Sequence, residues 1–120
     1  MKIQIKAGST TLTAELFDTE LGRKIADILP IETRPNRWGD EIYFGIPLEH
    51  DLSNPREEVE VGDLAFWPPG KGFCIFYGPT PASRGSKPTA ASDVEVFGKV
   101  LGDATSLKNE NGRIVRVEKV

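Results

Sequence analysis

The chain has 120 residues and a formal net charge of −3, with 28% charged and 38% hydrophobic residues. That length is one domain, residues 1–120, with material for one core, and the composition is that of a soluble globular protein. Acidic and basic residues are interspersed without a basic stripe, which excludes a nucleic-acid partner, and no apolar run approaches the ~18 residues of a membrane span.

Residues 2–6 alternate, with Ile3 and Ile5 apolar, and after Gly8-Ser9 the alternation returns at Leu12, Ala14 and Leu16. This predicts a hairpin with one buried face. The opening MKIQIKAGS lacks the apolar core of a signal peptide, so the cytoplasm is the expected compartment. An amphipathic helix is expected over 18–29. Asp18 or Thr19 can cap it and Glu20 sits at its positive end. Leu21, Ile25, Ile28 and Leu29 form its apolar stripe, and Pro30 stops it.

Residues 31–34 read as a short strand cut by Pro35, and 36–40 as a turn. Residues 41–46 read as a strand with Ile42, Phe44 and Ile46 on one face and Glu41, Tyr43 and Gly45 on the other. Residues 47–60 are polar and form a surface loop, with a short edge strand expected at 59–61. The densest stretch is 61–81. Six of the ten aromatic residues lie in 66–97, five of them between Phe66 and Tyr77. Residues 64–67 and 73–77 read as a hairpin around Pro68-Pro69-Gly70-Lys71-Gly72. The second strand is apolar on both faces, with Phe73, Ile75 and Tyr77 on one and Cys74 and Phe76 on the other, so it must be covered on both sides.

Residues 78–93 are rich in Pro, Gly, Ser, Ala and Thr and read as a long loop. A strand over 94–101, one helical turn at 103–107, an Asn111-Gly112 turn and a last strand through Ile114, Val115 and Val117 complete the chain. Roughly eight short antiparallel strands with one helix predict a mainly β fold, a barrel or sandwich.

Trp38, Tyr43, Phe66, Trp67, Phe73 and Tyr77 either line an apolar groove suited to a peptide or small planar ligand, or fill the interior. Arg37, in a turn beside an aromatic ring, offers a guanidinium to a carbonyl or carboxylate, with Glu41 and Tyr43 beside it. The alternative is a surface ion pair. His50, between Glu49 and Asp51, reads as a solvated side chain, and Cys74 as a small hydrophobe without an activating base. One cysteine and one histidine exclude an internal disulfide and argue against a Cys/His metal site, and no cofactor is implied. Gly70-Lys71-Gly72 is a hairpin turn rather than a phosphate loop, because no helix and no Ser/Thr follow the lysine. Residues 84–87 form a basic, solvated loop.

The segments GDEIYFGIP (39–47), VGDLAFWPPGKGFCIFYGPTP (61–81) and VEVFGKV (94–100), with Leu29-Pro30 after the helix, carry a resemblance. Over nearly its whole length the chain resembles a small cyclophilin-like family of prokaryotic proteins formerly grouped as a domain of unknown function. The resemblance implies a closed barrel of about eight strands capped by helices, and no known reaction. Prolyl isomerases of the wider cyclophilin fold carry a catalytic arginine in a Phe-His-Arg type strand and a Phe-Met-x-Gln segment, and neither occurs here. Arg34 and Arg37 fall in the corresponding region without the flanking motif.

Three readings of function follow. One is a binding module holding a small ligand or peptide with Arg37, Trp38, Glu41, Tyr43, Phe66, Trp67 and Tyr77. Another is a divergent peptidyl-prolyl isomerase in which Arg37 or Arg34 aims a donor at the amide nitrogen. The third is a structural or assembly module, a homo-oligomer burying Trp38 and Trp67.

Overall fold

A computed structural model describes residues 1–110 and 114–120. Among these, ten strands occur: β1 Lys2–Ala7, β2 Thr10–Leu16, β3 Ile31–Thr33, β4 Asn36–Arg37, β5 Glu41–Gly45, β6 Arg56–Glu58, β7 Asp63–Trp67, β8 Gly72–Phe76, β9 Thr89–Val100 and β10 Val115–Lys119. One helix, α1, spans Glu20–Asp27, and 3-10 turns span Pro68–Gly70 and Ala104–Asn109. The expected Asn111-Gly112 turn lies outside the described residues. No described helix is long and apolar enough to cross a membrane.

Thr19 caps α1, its hydroxyl accepting from the Gly22 N–H at 3.0 Å. The helix is shorter than the expected 18–29. It ends at Asp27, and Ile28 and Leu29 pack against the core from the residues that follow. Leu21 and Ile25 are fully buried.

The strands pair antiparallel in the order β3-β10-β1-β2-β9-β7-β8-β5-β4, with β6 on β9. The expected closed eight-stranded barrel is therefore corrected: the sheet has ten strands and its edges are not joined by a ladder. The edge strands β3 and β4 follow each other in the chain, separated only by Arg34 and Pro35. The sheet curls until its two edges are neighbours through the backbone, where a proline, with no N–H to donate, interrupts pairing.

The double-faced strand anticipated at 73–77 is β8. Phe73, Ile75 and Tyr77 enter the main core with Ile3, Ile5, Leu16, Leu64 and Phe97. Cys74 and Phe76 enter a second cluster with Val59, Ala65, Ala90 and Val94, flanked by Tyr43, Trp67 and Val96. The cover over this outer face is the first half of β9, so the loop expected over 78–93 ends at Thr89. The edge strand expected at 59–61 lies instead at β6, and Val59 plugs the second cluster. A bulge lets β9 serve both layers. Leu64 faces Gly98 and Ala65 faces Val96, leaving Phe97 extra and free to enter the main core against Phe73, with centroids 4.9 Å apart. The base of the loop before β9 is tied: the Thr80 hydroxyl donates to the Thr89 carbonyl, and Ser83 Oγ accepts from the Thr80 and Thr89 N–H groups at 2.9 and 3.1 Å.

At Gly98 the backbones of β9 and β2 approach so closely that a Cβ would lie 2.4 Å from the Glu15 carbonyl oxygen, whereas at Gly102 nothing lies within 4 Å. Gly98→Ala is expected to lower unfolding stability by roughly 1–3 kcal/mol through overpacking, and Gly102→Ala to leave it unchanged or slightly raised. Urea denaturation of the two variants checks this.

Candidate functional site

Where the β9 cover stops short of the turn joining β4 to β5, the outer face opens into a cavity of about 210 Å³. Trp38, Glu41, Tyr43, Trp67, Ala90 and Val94 line it, with Ala91 at the rim. The turn is closed by the Trp38 N–H donating to the Glu41 carbonyl at 2.9 Å and the Glu41 N–H returning to Trp38 at 3.2 Å. Gly39 in it has φ +59°, and a Cβ there would lie 2.8 Å from Thr80 Cα, so only glycine fits. Trp67 is fixed from the cover: its indole N–H donates to Ser92 Oγ at 2.7 Å. Its ring meets Tyr43 edge to face, centroids 6.2 Å apart and planes at 71°. Gly70 packs on the benzo ring, where a Cβ would lie 2.8 Å from Trp67 Cζ3.

Of the ligand-binding residues expected from sequence, Trp38, Glu41, Tyr43 and Trp67 come together here. Phe66 and Tyr77 do not; both are sealed in the main core, as is Phe73. Arg37 also points elsewhere. Its guanidinium lies 5.6 Å from the centre of the Tyr77 ring, Nη1 donates to the Glu110 carbonyl at 3.3 Å, and Nη2 stands 3.8 Å from Asp40. Arg34, between β3 and β4, is not among the cavity's lining residues. Sequence reasoning missed Ala90, Ala91 and Val94. The signal for the two alanines was the small-residue run Thr-Ala-Ala-Ser, which reads equally well as loop, and Val94 reads only as the first residue of a strand.

A family model described as "Cyclophilin-like" matches residues 1–118. The chain belongs to the cyclophilin-like family. Among solved structures it is similar to the solution structure of a hypothetical protein from Archaeoglobus fulgidus, at 39% identity and a TM-score of 0.82, covering 100% of this chain and 95% of that one. No curated protein sequence matches.

The chemistry of this cyclophilin-like site centres on Glu41, only 5% exposed. Burial pushes its carboxyl up to about 7, opposed by a hydrogen bond from the Cys74 thiol. Burial, with the Glu41 charge beside it, in turn raises the Cys74 thiol well above its usual range, so that it stays a thiol. Among the described residues no cation pairs with Glu41, and no group of three or more His, Cys, Asp or Glu side chains could hold a metal.

A second buried polar cluster corrects the expectation for His50. Its side chain is 2% exposed. Its Nε2–H donates to Glu95 Oε1 at 3.0 Å, while Lys24 Nζ donates to Nδ1 at 3.2 Å. Burial pushes the Glu95 carboxyl up, but bonds from the Ser53 N–H and from His50 outweigh it and hold the group below its usual value. The cluster ties the 49–54 loop to β9. The acidic neighbours of His50 concealed it, since its partner stands 45 residues away.

A carboxyl raised from 4.5 to about 7 binds its proton more tightly folded than unfolded. Its contribution favours the fold below pH ~4.5 and is lost as pH rises through ~7, a difference of about 3 kcal/mol. Glu41→Gln is expected to be more stable than the parent at pH 8, with the gap shrinking towards pH 4. Denaturation curves across that range check this, and carbon-13 titration of Glu41 reads the ionisation directly.

Proposed function

We propose that this domain is a binding module that holds a small ligand, or one group of a peptide, in the cavity between Trp38, Tyr43 and Trp67. The observation that carries this reading is Glu41, a carboxyl desolvated inside aromatic walls with no cation among the described residues to pair it. Burying such a group works against folding, and an apolar side chain would close the same space at lower free energy. Its presence is accounted for by something that enters and meets it. At about 210 Å³ the cavity is smaller than the roughly 300–1,000 Å³ of drug-sized sites, so it suits one ring or headgroup.

The isomerase reading is less well supported. It needs a donor at the amide nitrogen of a bound proline, and among the described residues the cavity lining contains no arginine, Arg37 being engaged with Tyr77 and Glu110.

The chain's two tryptophans are both cavity walls, so their indole N–H signals report on it. Titration with X-Pro tetrapeptides, indole and tetramethylammonium chloride is expected to move the Trp38 and Trp67 signals saturably with at least one probe. Ala91→Phe, which fills the rim from an exposed position, is expected to weaken that probe about tenfold or more, or roughly 1.4 kcal/mol. Indole signals that stay still for every probe at millimolar concentration would overturn the reading. Exchange spectra of the same peptides report any isomerisation.

A further inference from the structure

The geometry points to a methylated ammonium ion on a free small molecule, of choline size, as the occupant of this cavity. This rests on the cavity being a ligand site and adds the chemical class of the ligand.

Three of the walls are aromatic rings from three places in the chain: Trp38 from the β4–β5 turn, Tyr43 from β5 and Trp67 from β7. Tyr43 and Trp67 form a corner, their planes 71° apart. The Trp67 ring is held in place by Ser92 at the indole nitrogen and by Gly70 against its benzo ring. Rings set around a small volume attract a cation through their π faces, and do so most strongly where water is excluded. Glu41 adds a carboxyl among these rings. Such walls and such a floor select against other classes of ligand. An anion meets Glu41 as a like charge. A neutral apolar group leaves that carboxyl desolvated and unpaired. A bare ammonium has three N–H donors to satisfy, and among the described lining residues the side-chain acceptors beyond Glu41 reduce to the Tyr43 hydroxyl. A methylated ammonium presents apolar methyls to the rings and supplies a positive charge opposite the Glu41 carboxylate.

A free molecule fits better than a peptide in extended form. The strands that carry Tyr43 and Trp67 have no open edge for one to add to, because β5 is bonded to β4 and β8, and β7 to β8 and β9.

The cation interacts with ionised Glu41, so affinity falls as pH falls. The groups that face Glu41 are the Cys74 thiol from β8, Tyr43 on its own strand and Trp38 across the turn, with Tyr77 beyond β8 within reach of its charge. None of these is ordinarily charged between pH 5.5 and 8.

The test uses the full chain, with choline chloride against its neutral isostere 3,3-dimethylbutan-1-ol, followed by the indole N–H signals and by calorimetry. Choline is expected to bind at least about tenfold more tightly than the isostere, with affinity falling roughly tenfold from pH 8 to 5.5. Glu41→Gln is expected to weaken choline and flatten that pH dependence without weakening the isostere. Equal affinity for the two probes would overturn the cation while leaving a binding cavity. So would indole signals that answer to indole or an X-Pro peptide but not to choline. Tighter binding of a trimethyl-lysine peptide than of choline would overturn the free small molecule. Silence to every probe removes the binding module as well.

Discussion

The structure depends on one strand being buried on both faces. β8 lies between β7 and β5 in the sheet, and its residues from Gly72 to Phe76 are all buried. One face belongs to the main core, where Phe73 stacks on Phe44 with centroids 4.9 Å apart. The other would present Cys74 and Phe76 to water if nothing lay over it. A central antiparallel strand of this kind requires a second layer, and with a single helix already engaged on the main core, the chain supplies that layer by returning as the first half of β9. The bulge at Phe97, the short strand β6 and the plug at Val59 all follow from making one strand serve two layers.

The cavity arises from the same arrangement. The cover consists of small residues at Ala90 and Ala91 and reaches the edge of the second cluster without filling it. Two large rings, Tyr43 and Trp67, stand at that edge, and Trp67 is attached to the cover by a hydrogen bond rather than by apolar contact alone. The free energy of burial is concentrated in the inner core, which leaves the outer layer able to carry a group that opposes folding. Glu41 sits on β5 directly between Ile42, which belongs to the inner core, and the β4–β5 turn. Alternation along the strand puts its carboxyl on the outer side.

Much of this was legible in the sequence. The two-sided character of 73–77, the split of its residues between faces, the outward set Glu41 and Tyr43, and a cap at Asp18 or Thr19 all follow from period and residue type. What was not legible came from long-range pairing. No local signal says that Thr89-Ala90-Ala91-Ser92 crosses over β7 and β8 rather than remaining loop. With the cover unknown, Phe66 and Trp67 look alike as aromatic neighbours, though alternation sends one into the core and the other to the cavity. Tyr77 and Arg37 were grouped with the groove for the same reason, whereas the turn at Gly39 directs Arg37 towards Tyr77 and Glu110. His50 was hidden by composition, since its polar neighbours describe the loop and not the partner 45 residues away. Closure failed as an expectation because Pro35 separates two strands too short to find each other.

The tie between Thr80 and Thr89 also has a bearing on how the chain tolerates added length. The holding contacts of the 81–88 segment lie at its base, where Pro81 abuts the Gly39 turn, Ser83 ties Thr80 to Thr89 and the Pro88 carbonyl accepts from the Val59 N–H. Its tip at Gly85 has no atom within 4 Å of where a side chain would begin. Doubling the length of a flexible loop costs only about 0.6 kcal/mol in closure entropy. The tip is therefore a grafting point: a tag, a surface anchor or a whole second domain inserted at Gly85 would leave the aromatic walls and Glu41 in register, which makes this small fold a candidate carrier.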